Sequence, residues 1–378
     1  MKPGFLDIAR ALARLPTAPF HEHFTIDFVR SFAAKRPRLK ITFDRYGNCL
    51  LLYNGDGDGE QHHSPLILTA HLDHPGLVWK ESTGPGRSHF EIKGGVDAKQ
   101  ALASDVKIYD LNRPASQRGS KGRIIATKAT KSRYPLLEIE WNARAGQGPG
   151  TFAMWDVPAF ACRGRRIHGR ALDDLAGVAA GLSVLDELHR RRAPATLGLL
   201  LTRAEEVGFV GMLAAIEAKF LRRRALYINI ECSSIKAGAK QGAGPIIRVG
   251  DRLWVFDPLI SGGLVGLADD LAEKDPNFLY QRKLMDSGAC EATALMQAGY
   301  RTGAVALPLG NYHNSGPGNK LAPENIHLND ALLLVQLLTH LAQHGIDDAL
   351  RQSGSALDAM MAKRLANYRE QLDPIKTT

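Results

Sequence analysis

The sequence predicts an α/β fold in which a mainly parallel or mixed sheet is covered by helices on both faces. Helix and strand patterns alternate from about residue 173 onward, an order typical of helix-covered parallel sheets. Residues 65–70 form a continuous apolar run, as in strands buried on both faces. Residues 76–165 instead contain short alternating runs, which indicate an inserted β-rich domain. The remaining main domain comprises residues 1–75 and 166–378.

The first part of the chain is predicted to contain helices followed by three strands. Apolar residues recur at a helical period over residues 4–35, with a break at Pro16 to Pro19. Strand-like runs follow at 40–44 and 48–53, and the buried strand occupies 66–70.

The rest of the chain divides into the inserted domain and the second half of the main domain. Inside the inserted domain, Gly, Pro and Ser clusters separate predicted strands at residues 89–93, 104–109, 122–127 and 136–141. Further on, helices are predicted at residues 174–191, 211–221, 290–298 and 329–344. Strands are predicted between these helices, at residues 197–202, 225–230 and 302–307.

The composition predicts a globular protein that binds neither nucleic acid nor membrane. Hydrophobic residues make up 44% and charged residues 23% of the 378 residues, which is ordinary for a folded domain. The formal net charge is +9, but the densest basic runs, Arg190–Arg192 and Arg222–Arg224, end predicted helices, where cations oppose the helix dipole. No nucleic-acid motif accompanies the charge. No apolar stretch reaches the roughly 18 residues of a membrane span.

Cysteine usage indicates a reducing compartment. The four cysteines, Cys49, Cys162, Cys232 and Cys290, are far apart and form no Cys-x-x-Cys pair. This spacing argues against a disulfide framework and against a thiolate zinc site. We therefore expect a cytoplasmic protein.

Acidic and histidine side chains follow several predicted buried strands. Ligands bind at the carboxyl ends of the strands in such sheets, so these side chains are expected at one rim. Singly, each has an ordinary explanation, such as a core histidine, a helix cap or a solvated loop. Together they favour a site for zinc, cobalt or manganese, which imidazole and carboxylate ligands suit. The candidates are His71, Asp73, Asp173, Asp174, Glu205, Glu206, Glu231 and His313.

A centre with two divalent ions would assign different roles to these residues. One carboxylate, Asp173 or Asp174, would bridge the ions, and His71 and His313 would supply one imidazole each. Asp73 is expected to orient the His71 ring. Two such ions can deprotonate water, but the reaction also needs a general base that is not itself a ligand.

The chain resembles a known enzyme family in several short stretches. It is similar to the glutamyl and deblocking aminopeptidases, metallopeptidase family 42, which includes the tetrahedral aminopeptidases. That family lies in the clan of two-metal aminopeptidases, carboxypeptidases and deacylases. The resemblance extends from about residue 5 to residue 345. It is carried by residues 44–48 (DRYGN), 68–73 (LTAHLD), 93–95 (KGG), 169–174 (GRALDD), 205–208 (EEVG) and 242–245 (GAGP).

The resemblance implies a metal-dependent exopeptidase that hydrolyses the N-terminal bond of peptides. It also implies a cis peptide bond between Asp173 and Asp174. Two divalent ions, zinc by preference, would be held by His71, Asp173 as the bridge, Glu206, Glu231 and His313. Glu205 would be the general base and Asp73 the residue that orients His71.

The resemblance further implies that the inserted domain at residues 76–165 mediates dimerisation. We expect a homodimer or a higher homo-oligomer, and some family members form a hollow dodecamer.

The sequence departs from the family at one ligand position, and this keeps two alternatives open. Glu231 stands where the family has Asp, and Glu at this place is more typical of carboxypeptidases and deacylases. A carboxypeptidase or an N-acyl amino-acid deacylase is therefore the second hypothesis. A non-catalytic homologue that binds peptide or acts as a scaffold is the remote one, because the chain keeps an acid or histidine at every required place.

Overall fold

The computed structural model describes residues 4–55, 65–112, 119–128, 130, 134–142 and 147–372. The helices are α1 (Phe5–Ala13), α2 (His23–Ala34), α3 (Ala98–Ala101), α4 (Leu175–Arg191), α5 (Val210–Glu217), α6 (Pro258–Lys274), α7 (Glu291–Gln297), α8 (Leu328–His344) and α9 (Ile346–Tyr368). The strands are β1 (Leu39–Phe43), β2 (Cys49–Asn54), β3 (Leu66–His71), β4 (Gly76–Gly84), β5 (Arg87–Lys93), β6 (Asp105–Asp110), β7 (Ser120–Lys128), β8 (Leu136–Trp141), β9 (Thr151–Trp155), β10 (Phe160–Arg163), β11 (Arg166–Gly169), β12 (Thr196–Thr202), β13 (Leu226–Ser234), β14 (Ile246–Asp251), β15 (Gln281–Met285), β16 (Arg301–Leu309) and β17 (Glu324–His327).

The largest sheet is mixed and has eight strands in the order β1-β2-β12-β3-β13-β16-β14-β15. Strands β12, β3, β13 and β16 run parallel to one another at its centre. On one side, β2 pairs antiparallel with both β1 and β12, and on the other β14 pairs antiparallel with β16. The predicted mixed α/β class is confirmed, and the carboxyl ends of the four parallel strands meet at one edge.

The central strands are buried along almost their whole length because both of their faces are covered. Successive side chains of a strand point to opposite faces. In β12, Leu199 belongs to a buried cluster that includes Leu182 of α4. The next residue, Leu200, belongs to a separate cluster with Met212 of α5 and Leu295 of α7. An uninterrupted apolar run is therefore what this position in the fold requires.

A closed barrel of six strands, in the order β4-β5-β8-β7-β6-β9, occupies the region of the predicted β-rich domain. The four strands expected there correspond to β5, β6, β7 and β8. Strand β9 lacks alternating polarity because all its residues are buried. Its Trp155 lies in the barrel core, whereas Phe152 lies in the main hydrophobic cluster. The domain boundaries and the role in dimerisation remain predictions.

A small antiparallel sheet of β10, β11 and β17 connects the two halves of the site. Strand β11 leads into the segment that carries Asp173, and β17 follows the loop that carries His313. Gly169 of β11 pairs directly with Glu324 of β17. This register brings Glu324 beside both segments.

Several elements differ from the sequence-based expectation or add to it. The predicted break in residues 4–35 is confirmed, since α1 ends at Ala13 and α2 begins at His23. Helices α6 and α9 and strands β14 and β15 were not predicted.

Among the described helices, none combines the length and the apolar character needed to cross a membrane. All four cysteines are free.

Candidate metal centre

The predicted site residues come together at the carboxyl edge of the parallel strands. His71 is the last residue of β3, and Glu231 lies in the adjacent strand β13. Glu205 and Glu206 begin a short 3-10 turn after β12, and His313 lies in another after β16. Asp173 lies just before α4, opposite these strand ends, so the chain positions all of them from rigid elements.

Two sets of ligand atoms lie on either side of the Asp173 carboxylate. His71 Nε2 is 3.5 Å from Asp173 Oδ1 and 3.6 Å from Glu231 Oε1. His313 Nε2 is 3.6 Å from Asp173 Oδ2 and 3.3 Å from Glu206 Oε2. Each oxygen of Asp173 thus faces a different histidine, and each histidine faces a second carboxylate.

These separations fit divalent cations. Two ligand atoms about 2.1 Å from a tetrahedral zinc ion lie about 3.4 Å apart, close to the distances above. Asp173 Oδ1 and Glu206 Oε1 are buried and have no hydrogen-bond partner among the described residues. Buried carboxylate oxygens without partners are costly unless a cation is bound. The donor set therefore fits the metal centre that the sequence predicts.

Asp174, the alternative bridging residue, is placed differently from Asp173. The carboxylate of Asp174 lies close to His71 and Glu231, on one side of the site. No described contact joins it to His313, so the geometry favours Asp173 as the bridge. The peptide bond between the two aspartates is cis, as the resemblance implies.

Cys232 lies next to Glu231. Its thiol and the carboxylates of Asp173 and Asp174 lie close enough together to form another possible set of metal ligands. Its Sγ donates to the carbonyl of Leu172 at 3.4 Å. Burial raises the pKa of this thiol well above its usual range, with the nearby carboxylates adding to the effect. Because thiolate is the metal-binding form, we regard Cys232 as a neutral packing residue.

Asp73 connects the His71 segment to the two adjacent glutamates. Its two carboxylate oxygens accept the backbone N–H groups of Glu205 at 2.9 Å and Glu206 at 3.1 Å. His71 Nδ1 lies 3.6 Å from Asp73 Oδ1 but 3.2 Å from the Asp73 carbonyl oxygen. A ring that donates from Nδ1 to this carbonyl presents its other nitrogen, Nε2, to a metal. Asp73 thus contacts His71 through its backbone and holds the glutamate turn with its side chain.

The electrostatics of the site reflect several buried acids in close proximity. Burial raises the pKa values of Glu205, Glu206 and Glu231, and neighbouring carboxylates raise them further. Burial acts in the same direction on Asp173, but hydrogen bonding to His313 and His71 holds its pKa below the usual range. Dications at this position would relieve the repulsion and favour the ionised carboxylates.

Glu205 is the one acid of the adjacent pair that lies outside the two ligand sets. Its Oε2 is 3.9 Å from His71 Nε2, and the residue is only 7% exposed. Glu206, in contrast, faces His313 directly. Glu205 therefore lies beside the centre with its carboxylate available for proton transfer.

Two buried acids that hold the site together were not found in the sequence. Glu22, just before α2, accepts the backbone N–H of Ala204 at 2.9 Å and pairs with Arg203 Nε at 2.7 Å. Glu324 accepts the N–H groups of Leu172 at 2.8 Å and Asp173 at 3.0 Å through Oε2. Its Oε1 accepts the N–H of His313 at 2.9 Å. No local motif marks these acids, because their partners are distant in sequence.

We expect Glu324→Gln to weaken metal binding about 10- to 100-fold, as is typical when a group that orients metal ligands is lost. The new amide nitrogen would face a backbone N–H donor and displace the segment of Asp173 or His313. Competition with a chromophoric chelator measures the affinity. Glu217→Gln, at a side chain 70% exposed, is the matched control. Unchanged affinity in Glu324→Gln would contradict the positioning role.

An open pocket lies over the centre, with His71, Asp173, Glu206 and His313 in its lining. The pocket continues into an outer cleft that Tyr312 and His313 also line. The Tyr312 ring stacks on the His313 ring with centroids 3.8 Å apart. Burial, reinforced by the charges of Asp173 and Glu206, raises the pKa of Tyr312 well above its usual range. The Tyr312 hydroxyl therefore keeps its proton and can donate a hydrogen bond into the pocket.

Comparison with known proteins connects this chain to one peptidase family. Residues 51–317 match the family model of the M42 glutamyl aminopeptidases. The TET1 peptidase of Pyrococcus horikoshii, which can assemble into a tetrahedron or a large octahedral shell, has 21% identity and a TM-score of 0.73, with 90% of this chain and 100% of that chain covered. An aminopeptidase of Desulfurococcus kamchatkensis has 20% identity and a TM-score of 0.74, with 92% and 97% covered. A TET aminopeptidase of a marine-sediment thaumarchaeon has 16% identity and a TM-score of 0.75, with 92% and 99% covered.

Proposed function

Because this chain belongs to the M42 glutamyl aminopeptidase family, we propose that it is a two-metal aminopeptidase that releases N-terminal residues from peptides. The observation that carries the proposal is the Asp173 carboxylate, whose two oxygens face His71 and His313 at 3.5 and 3.6 Å. A carboxylate that lies between two imidazoles is an arrangement that can hold a pair of cations.

In this proposal one imidazole and one terminal carboxylate would hold each ion, and Asp173 would be shared by the two ions. His71, Glu231 and Asp173 would hold the first ion. His313, Glu206 and Asp173 would hold the second. Zinc is the metal we favour, with cobalt or manganese also compatible with imidazole and carboxylate ligands.

The protein side chains would divide the work of peptide hydrolysis. When bound, the two ions would supply Lewis-acid chemistry, lowering the pKa of water and polarising a carbonyl group. Glu205 would accept the proton of the attacking water and pass it to the leaving amine. Tyr312 would donate a hydrogen bond to the substrate oxygen that becomes negative.

The direction of cleavage separates this proposal from its alternatives. We expect the purified protein to release the first residue of peptides with a free amino group. The activity should disappear with a chelator and return with zinc, cobalt or manganese, whereas N-acetylated peptides remain intact. Release of C-terminal residues or cleavage of N-acyl amino acids would favour a carboxypeptidase or deacylase. No cleavage with any metal would favour a non-catalytic homologue.

The assembly and location of the protein follow by analogy. We propose a higher homo-oligomer, because the similar TET1 peptidase of Pyrococcus horikoshii can assemble into a tetrahedron or a large octahedral shell. The barrel between residues 76 and 165 is the proposed dimerisation domain. A cytoplasmic location is consistent with the four free cysteines.

A further inference from the structure

We propose that the six-stranded barrel forms part of the site for the second ion, because the backbone of Gly95 orients the ring of His313. Gly95 is thereby a positioning residue, and the inference rests on the proposed function, which places the second ion at His313. Gly95 belongs to the stretch 93–95 (KGG), which carries part of the family resemblance but contributes no metal ligand.

Gly95 belongs to the barrel and not to the eight-stranded sheet. It follows the barrel strand β5, which ends at Lys93. The next residue, Val96, is buried in the hydrophobic core of the barrel and anchors the segment there. His313, in contrast, lies after β16 of the large sheet and is separated from Gly95 by 218 residues. Any contact between the two residues therefore connects the barrel to the sheet.

The carbonyl oxygen of Gly95 lies 3.2 Å from Nδ1 of His313. A carbonyl oxygen only accepts hydrogen bonds, so the ring donates from Nδ1 in this contact. The other ring nitrogen, Nε2, then has a free lone pair for a metal ion. This nitrogen is the one that faces Asp173 and Glu206. The Gly95 carbonyl therefore selects the form and the orientation of the ring that the second ion needs.

The two metal-binding histidines differ in how their rings are held. Nδ1 of His71 contacts the carbonyl oxygen of Asp73, which lies two residues away in the same segment. The His313 ring instead depends on a carbonyl group of the barrel. The first imidazole is thus oriented locally, whereas the second is oriented by a distant part of the chain. A disturbance of Gly95 should therefore affect one ion and not the other.

Glycine is required at position 95 because the His313 ring lies so close. A Cβ at this position would be 3.1 Å from Nδ1 and 3.3 Å from Cε1 of His313. Contacts between non-bonded atoms are normally about 3.5 to 4.0 Å, so the ring would have to move by a few tenths of an ångström. Gly95 is not among the glycines with positive φ, so alanine is compatible with its backbone conformation. The substitution Gly95→Ala therefore acts specifically on the ring.

A second contact joins the same two segments. Ser315 Oγ donates to Oε1 of Gln100, in helix α3, at 3.1 Å. The backbone of His313 has a φ of 52°, which is unfavourable for a residue other than glycine and has to be maintained by its surroundings. The barrel segment that contains Gly95 and Gln100 thus helps to hold the loop as well as the ring.

The experiment measures the binding of zinc to the metal-free protein by isothermal titration calorimetry. The distances of metal ligands tolerate changes of only about 0.2 Å. We therefore expect Gly95→Ala to weaken the binding of one ion about 10- to 100-fold and to leave the other unchanged. Gly84→Ala, at the end of the barrel strand β4, is the matched control, because a Cβ there meets no atom within 4 Å.

Two double variants identify the ion that is affected. Glu231→Gln should leave only the second ion, so adding Gly95→Ala should weaken the binding that remains. Glu206→Gln should leave only the first ion, and adding Gly95→Ala should then change nothing. Equal weakening of both ions, or an affinity in Gly95→Ala equal to that of Gly84→Ala, would overturn the proposal.

If Gly95→Ala does not fold, Gln100→Leu provides the test, because it removes the second contact and keeps the glycine. Weaker binding of the same ion would support the proposal, and unchanged affinity would overturn it. The titration also separates this proposal from the proposed function, since it involves no turnover. A wild-type protein that binds two ions but cleaves no peptide would refute the peptidase activity alone, whereas one that binds no ion would overturn both.

Discussion

Glu205→Gln is expected to lower kcat about 1,000-fold or more, the range associated with loss of a general base, while leaving about two ions bound per chain. The amide keeps the size of the side chain but cannot accept a proton. Glu205 lies outside the two ligand sets, with its Oε2 3.9 Å from the nearest histidine nitrogen, so its charge is not needed to hold metal. Turnover of a free-amine peptide, together with metal content by mass spectrometry, measures both effects.

Glu206→Gln is the matched control, because it makes the same chemical change at the neighbouring residue. Glu206 Oε2 is 3.3 Å from His313 Nε2, so its loss should release one ion as well as activity. The two variants should therefore differ in metal content although both are inactive. A Glu205→Gln protein that keeps full activity would refute the base assignment, and one that loses both ions would make Glu205 a ligand.

The sequence predicted the residues of this site because they follow strands with a strong pattern. Strands β3 and β12 are buried on both faces, so their sequences are mostly apolar and their ends are easily located. The end of β13 was placed too early, because this strand continues through Glu231 to Ser234. Parallel strands then place the following polar residues at one edge. His71, Glu205 and Glu206 could be identified in this way without any knowledge of the tertiary contacts.

The supporting residues could not be found by the same reasoning, because their roles depend on long-range pairing. Glu324 reaches Asp173 through the register of β17 with β11, across a separation of 151 residues. Arg248 interrupts the apolar pattern of β14, so the local sequence did not mark this strand. Strand β9 was missed because one face lies in the barrel core and the other in the main core. In each case tertiary packing outweighed the local pattern.

The electrostatic role of the pair Glu205 and Glu206 also needs the folded structure for its explanation. Adjacent glutamates at the end of a buried strand would normally repel one another and avoid burial. Here Asp73 holds both of their backbone N–H groups, and Glu22 holds that of Ala204 just before them. These contacts orient one carboxylate toward His313 and leave the other free, which is the division that proton transfer beside a metal centre requires.

Asp173→Asn is expected to remove both ions and to reduce activity to the background of the assay. A single substitution has this double effect because each Asp173 oxygen belongs to a different ligand set, at 3.5 Å from His71 Nε2 and 3.6 Å from His313 Nε2. The asparagine side chain has one oxygen and no negative charge, so it cannot bridge two dications. Metal content after dialysis, measured at several metal concentrations, gives the number of sites lost.

Glu231→Gln provides the comparison, since Glu231 contacts only the His71 set and should release one ion while the second remains bound. The same change of acid to amide should therefore remove two ions at the bridging residue but only one ion at a terminal ligand. If Asp173→Asn instead lost only one ion, the bridge would have to be reassigned to Asp174. The ion count, rather than the loss of activity, therefore distinguishes a shared carboxylate from an ordinary ligand.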